Sequence, residues 1–365
     1  MKRNDIQNNI GNTSKNADIT LEDVAKKVGL SHMSVSRALR GAPGVSKATI
    51  DRIMAVVKDM GYDPATNHAA RRMAMKRYSK KILNQVIALF FPRELPTSYY
   101  YVRLYLGVLD EVEQNNFGLL THYVNDLSDD KLLPPLFMRG EIDGVIMLSP
   151  DRIVPFVHHL RNDTPINDKP IVTLIEPLAG CSAILTDDFN GGYQAVNHLL
   201  DLGHRHILHS AYKEYTHQQR LRGFKQAFID RNLDPDKYLH YCYWNNEGVM
   251  PPTQVFIDFL RDNPEITGVV APNDEIAIRM YQVLNKEKIA VPGRISLIGY
   301  DDALPFVDKL GENILTTIAL PLEELGREAV RQLIKMLLNN EEENREIILP
   351  VALVVRSTTA PPYNQ

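Results

Sequence analysis

The sequence predicts a small all-α unit containing a helix-turn-helix, followed by a larger parallel α/β region in two lobes. Three observations carry this reading of the 365 residues. Between Ile19 and Gly61, apolar side chains recur at helical spacing in three short segments divided by tight turns. From Gln85 onward, short apolar runs alternate with helical patterns. Between these regions, Asn67 to Lys81 is crowded with basic residues and poor in apolar ones.

Leu21, Val24, Ala25 and Val28 fall at i, i+3, i+4 and i+7, one stripe on a helix, and Thr20 with Asp23 has capping-box spacing ahead of it. Gly29 supplies the turn. Ser31 is placed to cap a second helix running to Arg40, in which Val35 and Leu39 make an i, i+4 apolar pair. A third follows the cap Ser46, is stapled by Val45 and Ile50, continues through Ile53, Val57 and Met60, and stops at Gly61. With Val35 and Leu39 turned inward, the second helix presents His32, Met33, Ser36, Arg37 and Arg40, groups mostly suited to base edges and phosphates. The bland alternative is a solvated face of an ordinary helical bundle.

Charge separates the same two regions. Asp18 to Lys81 holds thirteen Lys and Arg against six Asp and Glu, a net +7; Met1 to Ala17 adds +2, and with −4 overall the remainder carries −13. The basic end is the footprint of a polyanion, and the acidic remainder argues against a general nucleic-acid coat protein. No run of about 18 apolar residues suggests a membrane span. Residues 1–17 lack an apolar core and are expected as a disordered tail, not a signal peptide, which places the protein in the cytoplasm. Cys181 and Cys242 have no metal-like or redox spacing and are expected as buried small residues.

ITLEDVAKKVGLSHMSVSRALRGAPGVSKATIDRIMAVVKDMGY resembles the amino-terminal domain of the LacI/GalR transcription regulators, whose pattern is roughly T-x-x-D-V-A-x-x-x-G-V-S-x-x-T-V-S-R-x-L-N-G followed by V-S. The resemblance implies that His32 and Met33 meet bases, that Arg37 contacts base or phosphate, and that Thr20, Ser31 and Ser34 anchor the DNA backbone. Arg40, standing where the family often has Asn, is a further candidate. After Asp63 and Pro64 break the helical pattern, Asn67 to Lys81 is helix-compatible but too poor in apolar residues to hold a helix alone, a hinge able to fold on DNA. In the family, a Leu pair at this point pries open the minor groove. Met73 is the candidate for that wedge, with a plain basic linker as the alternative.

In the α/β region, Val86–Phe91, Leu119–Val124, Gly144–Leu148, Ile171–Ile175, Ile207–Ser210, Tyr238–Tyr243, Gly268–Ala271 and Ser296–Ile298 read as strands. Helices such as Tyr101–Asn115, Gly191–Leu202, Gln218–Arg231 and Glu275–Lys286 lie between them. About 280 residues exceed one comfortable core, hence two lobes. Ligands of parallel sheets sit at the carboxyl ends of strands, where Asp187, Asn273 with Asp274, and Asp301 with Asp302 would converge on one rim. Asp274 suits an N-cap better than a ligand contact; Asp301 has no such duty and is the ligand candidate.

The resemblance continues through D-D-F-N-G-G-Y, R-x-x-G-F at Arg220 to Phe224, N-D-E-I-A-I, V-P-G-R-I-S-L-I-G-Y-D-D and L-T-T-I. It implies a periplasmic-binding-protein-like effector-binding and dimerisation domain at 84–365, after a reading head at 18–64 and a hinge at 65–83. Its lobes would be 84–186 with 321–345, and 187–320 with 346–360. Arg220, Asn273 and Asp301 match residues that hold effector polar groups, and Trp244 an aromatic that stacks on a sugar or base; simple packing is the alternative for Trp244. Tyr100, with Tyr99 and Pro92, would line the other wall.

His204, His206 and His209 do not make a metal set by spacing, since an extended strand turns His209 away from the other two and no carboxylate or Cys accompanies them. N-G-G is not a phosphate loop, and no catalytic constellation occurs. No catalytic residue, cofactor or metal is expected. The expectation is a ligand-responsive regulator, a repressor of sugar-utilisation genes, working as a homodimer on a roughly palindromic double-stranded DNA operator away from any membrane. A sugar is the favoured effector, with a nucleobase or nucleoside as the alternative. The chain ends soon after R-S-T-T without a heptad tail, which favours a dimer over a tetramer. A solute-binding protein of the same two-lobed fold, and a sugar-processing enzyme, are the rivals.

Overall fold

Local rules dictate the amino-terminal helices, and the computed structural model bears them out. It describes residues 19–39, 45–60, 62, 83–92, 98–124, 141–149, 168–211, 214–243, 253–339 and 345–363, with isolated positions between 137 and 164. Helices α1 (Leu21–Val28), α2 (His32–Leu39) and α3 (Lys47–Met60) enclose Val24, Val35, Ile53 and Tyr62. Both arms of the capping box form: the Asp23 amide donates to Thr20 Oγ1 at 3.2 Å, and the Thr20 amide donates to Asp23 Oδ2 at 2.9 Å. Gly29, at φ 73°, closes α1 in the left-handed conformation that a Cβ would disfavour. Arg52 on α3 donates to the Val28 carbonyl at 3.0 Å, satisfying one of the acceptors that end α1. Ser31 and Ser46 cap α2 and α3 through the amides of Ser34 and Thr49.

The chain divides into units Met1–Leu83 and Asn84–Gln365. In the second, strands β1 (Val86–Pro92), β2 (Gly118–Val124), β3 (Gly144–Leu148), β4 (Ile171–Leu174) and β5 (Ser182–Thr186) come first. Next are β6 (His206–Ala211), β7 (Leu239–Tyr243), β8 (Ile266–Val270), β9 (Ser296–Asp301) and β10 (Thr316–Ala319), and the chain closes with β11 (Glu346–Leu349) and β12 (Ala352–Val354). They form two sheets, ordered β11-β5-β4-β3-β1-β2 and β12-β10-β9-β8-β6-β7. The first is parallel throughout; in the second only β12 runs antiparallel, against β10. Strands β3, β4, β5 and β9 are buried at every position, as sheets covered on both faces require. The helices are α4 (Tyr99–Gln114), α5 (Asp188–Asp201), α6 (Tyr215–Ile229), the single turn α7 (Pro235–Tyr238), α8 (Thr253–Asp262), α9 (Asp274–Lys286) and α10 (Leu322–Asn339).

The chain passes between lobes three times. Two of the passages follow β5 and β10. The third does not lie where the sequence places it: β11 pairs in parallel with β5, Ile347 opposite Ile184, so residues 346–349 complete the first lobe and the crossing falls at Pro350–Val351. Ile347 and Leu349 turn toward the core while Glu346 and Ile348 face out, the half-buried alternation of an edge strand. Strands β5, β10, β11 and β12, three to five residues long, are not among the strands read from the sequence. Both cysteines are buried and free. Among the described residues no helix is long and apolar enough to cross a membrane.

Candidate DNA-reading face and effector crevice

Helix α2 separates its faces cleanly. Val35 and Ala38 are buried, whereas Ser31, His32, Met33 and Arg37 are exposed, Met33 by 65%. An apolar thioether left this open contributes nothing to the fold and suits a partner surface. Ser31 and Ser34 join their hydroxyls at 2.9 Å, so the pair that caps α2 also presents oxygens at its amino end. Thr20 is engaged differently. Its hydroxyl donates to Asp23 Oδ2 at 2.6 Å, a bond that lowers the Asp23 pKa, and a phosphate contact would require Thr20 to release it. Arg40, Met73 and Trp244 lie outside the described residues.

The crevice is built on Arg220 of α6. Two glycine contacts bring α5 and α6 close enough to seat it: a Cβ on Gly192 would collide with the Arg220 carbonyl, and one on Gly223 with the Phe189 carbonyl. N-G-G is therefore a helix-crossing device. Arg220 Nε donates to Asp188 Oδ1 at 2.7 Å, Nη1 donates to the Pro272 carbonyl at 2.8 Å, and the guanidinium lies 3.5 Å over the Tyr300 ring. Tyr300 in turn donates to Asp188 Oδ1 at 3.1 Å, and Thr186 donates to Asp188 Oδ2 at 2.7 Å. Asp188 is 2% exposed and Arg220 6%, which makes this a desolvated, hydrogen-bonded pair. Burial is the strongest single influence and opposes the Arg220 charge, but Asp188, Tyr300 and Asp301 together hold the guanidinium above its ordinary pKa. Among the described residues Nη2 makes no hydrogen bond.

Asp301, 8% exposed at the end of β9, is the second polar group. Burial raises its pKa well above the carboxylate range, Arg220 pulls the other way, and Asp274 and Asp188 raise it further. It sits at φ 111° with Asp302 next at φ 50°, two successive non-glycine residues in a costly region of backbone space. Asp274 fixes that turn: one oxygen accepts from Thr317 Oγ1 at 2.6 Å and the other from the Ala303 amide at 3.1 Å. Its own pKa is raised to about 7, chiefly by burial. The helix cap expected of Asp274 belongs instead to Asn273, whose Oδ1 accepts from the Ile276 amide at 2.8 Å; Asp274 points the other way, into the core. Asp187 likewise caps α5 through the Asn190 amide.

The other lobe supplies Tyr100, half-buried at the start of α4 and packed against the core of the second lobe. Burial, then Asp301, raises its pKa; Tyr99 is exposed. Arg103, one turn further, joins the lobes. Its Nε and Nη2 clasp Glu323 of α10 at 2.7 and 2.9 Å, and its Nη1 donates to the Asp302 carbonyl at 2.8 Å. Arg356 holds the Asp302 carboxylate with two bonds of 2.9 and 3.1 Å. The sequence reading missed Asp188, Tyr300 and Arg103. Asp188 stands beside Asp187 in the quoted D-D-F-N and Tyr300 beside Asp301 in G-Y-D-D, so the motifs were visible and the roles were not.

Two family profiles match the chain: bacterial regulatory proteins of the lacI family over residues 20–65, and the periplasmic binding protein-like domain over 196–359. The NTD biosynthesis operon regulator NtdR of Bacillus subtilis is 29% identical over 356 residues, covering 93% of this chain and 99% of that protein. Over nearly its whole length the chain is thus similar to LacI-family regulators, and it carries their amino-terminal regulatory domain. LacI-family proteins are transcription regulators. A LacI family regulator from Enterococcus faecium with bound ribose is 28% identical, covers 76% of this chain and 99% of its own, and superposes with a TM-score of 0.62. The lac repressor dimer bound to operator and an anti-inducer, at 21% identity, 93% and 99% coverage and a TM-score of 0.65, shares the fold. The LacI-family reading head and two-sheet effector domain are thus the two units described above.

Proposed function

We propose that the chain is a repressor that binds a roughly palindromic operator as a homodimer and changes its grip on DNA when a sugar enters the crevice. The observation that carries this is Arg220, locked by Asp188, Pro272 and Tyr300, with no bond to Nη2 among the described residues and with Asp301 directly following Tyr300 at the end of β9. A rigid cationic donor beside a carboxyl suits vicinal hydroxyls, which both donate and accept. The ribose held by the Enterococcus faecium relative supports that ligand class. His32, Met33 and Arg37 read bases, Ser31 and Ser34 meet the backbone, and Met73 in the hinge acts as the wedge. Asn273 and Tyr100 line the crevice, and Trp244 stacks on the ligand.

The homodimer has support in α4, where Val102, Leu106 and Leu109 recur at i, i+4 and i+7 with exposures of 43, 45 and 37%, an apolar stripe the fold leaves open. The chain works by binding and not by turnover, in the cytoplasm where operator DNA is found. Effector action is a population shift: the ligand must bind the open and closed lobe arrangements with different affinity. The test is a thermal-shift screen with sugars, sugar phosphates and nucleosides, followed by operator binding with and without each hit. A sugar that raises the melting temperature and alters operator affinity is the expected result. A nucleoside hit alone would replace the sugar assignment, and a sugar hit retained by Asp301→Ala would move the site elsewhere.

A further inference from the structure

A second group of donors lies at the other end of the second sheet, away from the crevice. His206 opens β6, His240 is the second residue of β7, and Glu265 directly precedes β8. β7, β6 and β8 are neighbours at one sheet edge and run parallel, so their starts come together on the side opposite the strand ends that carry Asp301 and Asn273. The pairing of β6 with β8 slips at this point: His206 faces Ile266, but Ile207 faces Gly268. Such an irregularity re-aims a side chain out of the regular pleat. His206 Nδ1 lies 2.9 Å from His240 Nε2, and ligand atoms of both histidines and of Glu265 lie within 4.8 Å of one another. The Tyr238 ring packs edge-on against His206 at 5.1 Å, which limits the swing of that imidazole.

This geometry is near that of a metal site. Two imidazole nitrogens on a tetrahedral zinc, each at about 2.05 Å, stand about 3.3 Å apart, so the pair need open by only a few tenths of an ångström. Glu265 is exposed and its carboxylate can turn inward without repacking anything. We propose that His206, His240 and Glu265 bind a divalent transition-metal ion of the zinc class at the outer edge of the second lobe. Two imidazoles and one carboxylate suit zinc and leave a fourth position for water. The ion ties edge strand β7 to β6 and to the approach of β8, and it binds the folded lobe alone because the three ligands come from separate strands.

The test is titration of the full-length, tag-free protein with zinc chloride by calorimetry, with melting curves in zinc and in EDTA. The chain has 11 histidines, so the comparison with variants decides. The expected result is one saturable site per chain, a melting temperature raised by zinc, and affinity lowered in His240→Asn by more than the roughly tenfold that even an outer ligand partner costs. Glu265→Gln, at an exposed position, keeps the fold and weakens the same site, so the outcome does not hang on the histidine variant folding. Failure of the wild type to bind zinc, or binding that both variants retain unchanged, overturns the proposal.

Discussion

On helix α2, His32, Met33 and Arg37 are exposed, and the side chains that pack the helix against its neighbours, Val35 and Ala38, are a different set. In the crevice the same side chains do both jobs: Asp188, Arg220 and Tyr300 are buried, interlocked, and part of the core they line. The reading face can therefore change without disturbing the fold, whereas the crevice cannot. Exposed groups keep their solvation until a partner arrives; desolvated charges must be satisfied from the start.

The largest expected effect tests the crevice side. Asp188→Ala leaves Arg220 charged and without its carboxylate, and should cost on the order of 3–5 kcal/mol in urea unfolding together with the ligand response. A loss of response at unchanged stability would break the comparison. A few kcal/mol should also appear as pH dependence at Asp274, whose pKa is raised from 3.8 to about 7. A raised carboxyl binds its proton more tightly when folded, so its contribution is full below pH 3.8 and is lost as pH rises to about 7. Asp274→Asn should accordingly gain on the wild type between pH 4 and pH 8, and parallel stability profiles would refute this.

On the reading face, Arg37→Ala should lower operator affinity by about 1–3 kcal/mol at fixed salt, measured by fluorescence anisotropy, with the melting curve unmoved. Weakening that is equal on operator and random DNA would make Arg37 a phosphate contact and not a base reader. Thr20→Ala should have the smallest effect, about 1 kcal/mol in the stability of the amino-terminal unit, because the capping box loses both its hydroxyl bonds. If its DNA binding falls without that stability loss, Thr20 is a DNA anchor first and a cap second.

The two regions also differ in how far they could be read beforehand. Caps, turn and apolar stripe of the reading head all lie within a few residues of one another, so the spacing of Thr20, Asp23, Gly29, Ser31 and Ser46 was enough to place three helices. The crevice was half legible. Arg220 and Asp301 were named because their motifs carry them, but Asp274 was given the cap that Asn273 makes, since nothing in N-D-E says which residue turns toward the amide and which toward Thr317. The histidines show the same limit: spacing within G-H-R-H-I-L-H does not show that His206 meets His240 and Glu265, which come from the segments to either side of it.

By itself the sequence determined the helical reading head, the alternation of strands and helices, the two-lobed class and the basic end, because each rests on local periodicity, capping or composition. Tertiary structure alone decided which polar groups meet. Asp188 and Tyr300 come together across 112 positions, Arg103 reaches Asp302 across 199, and β11 returns to the first lobe from the far end of the chain. Parallel strands with long crossovers bring such residues side by side through the register of the sheet, and no spacing along the chain encodes that register.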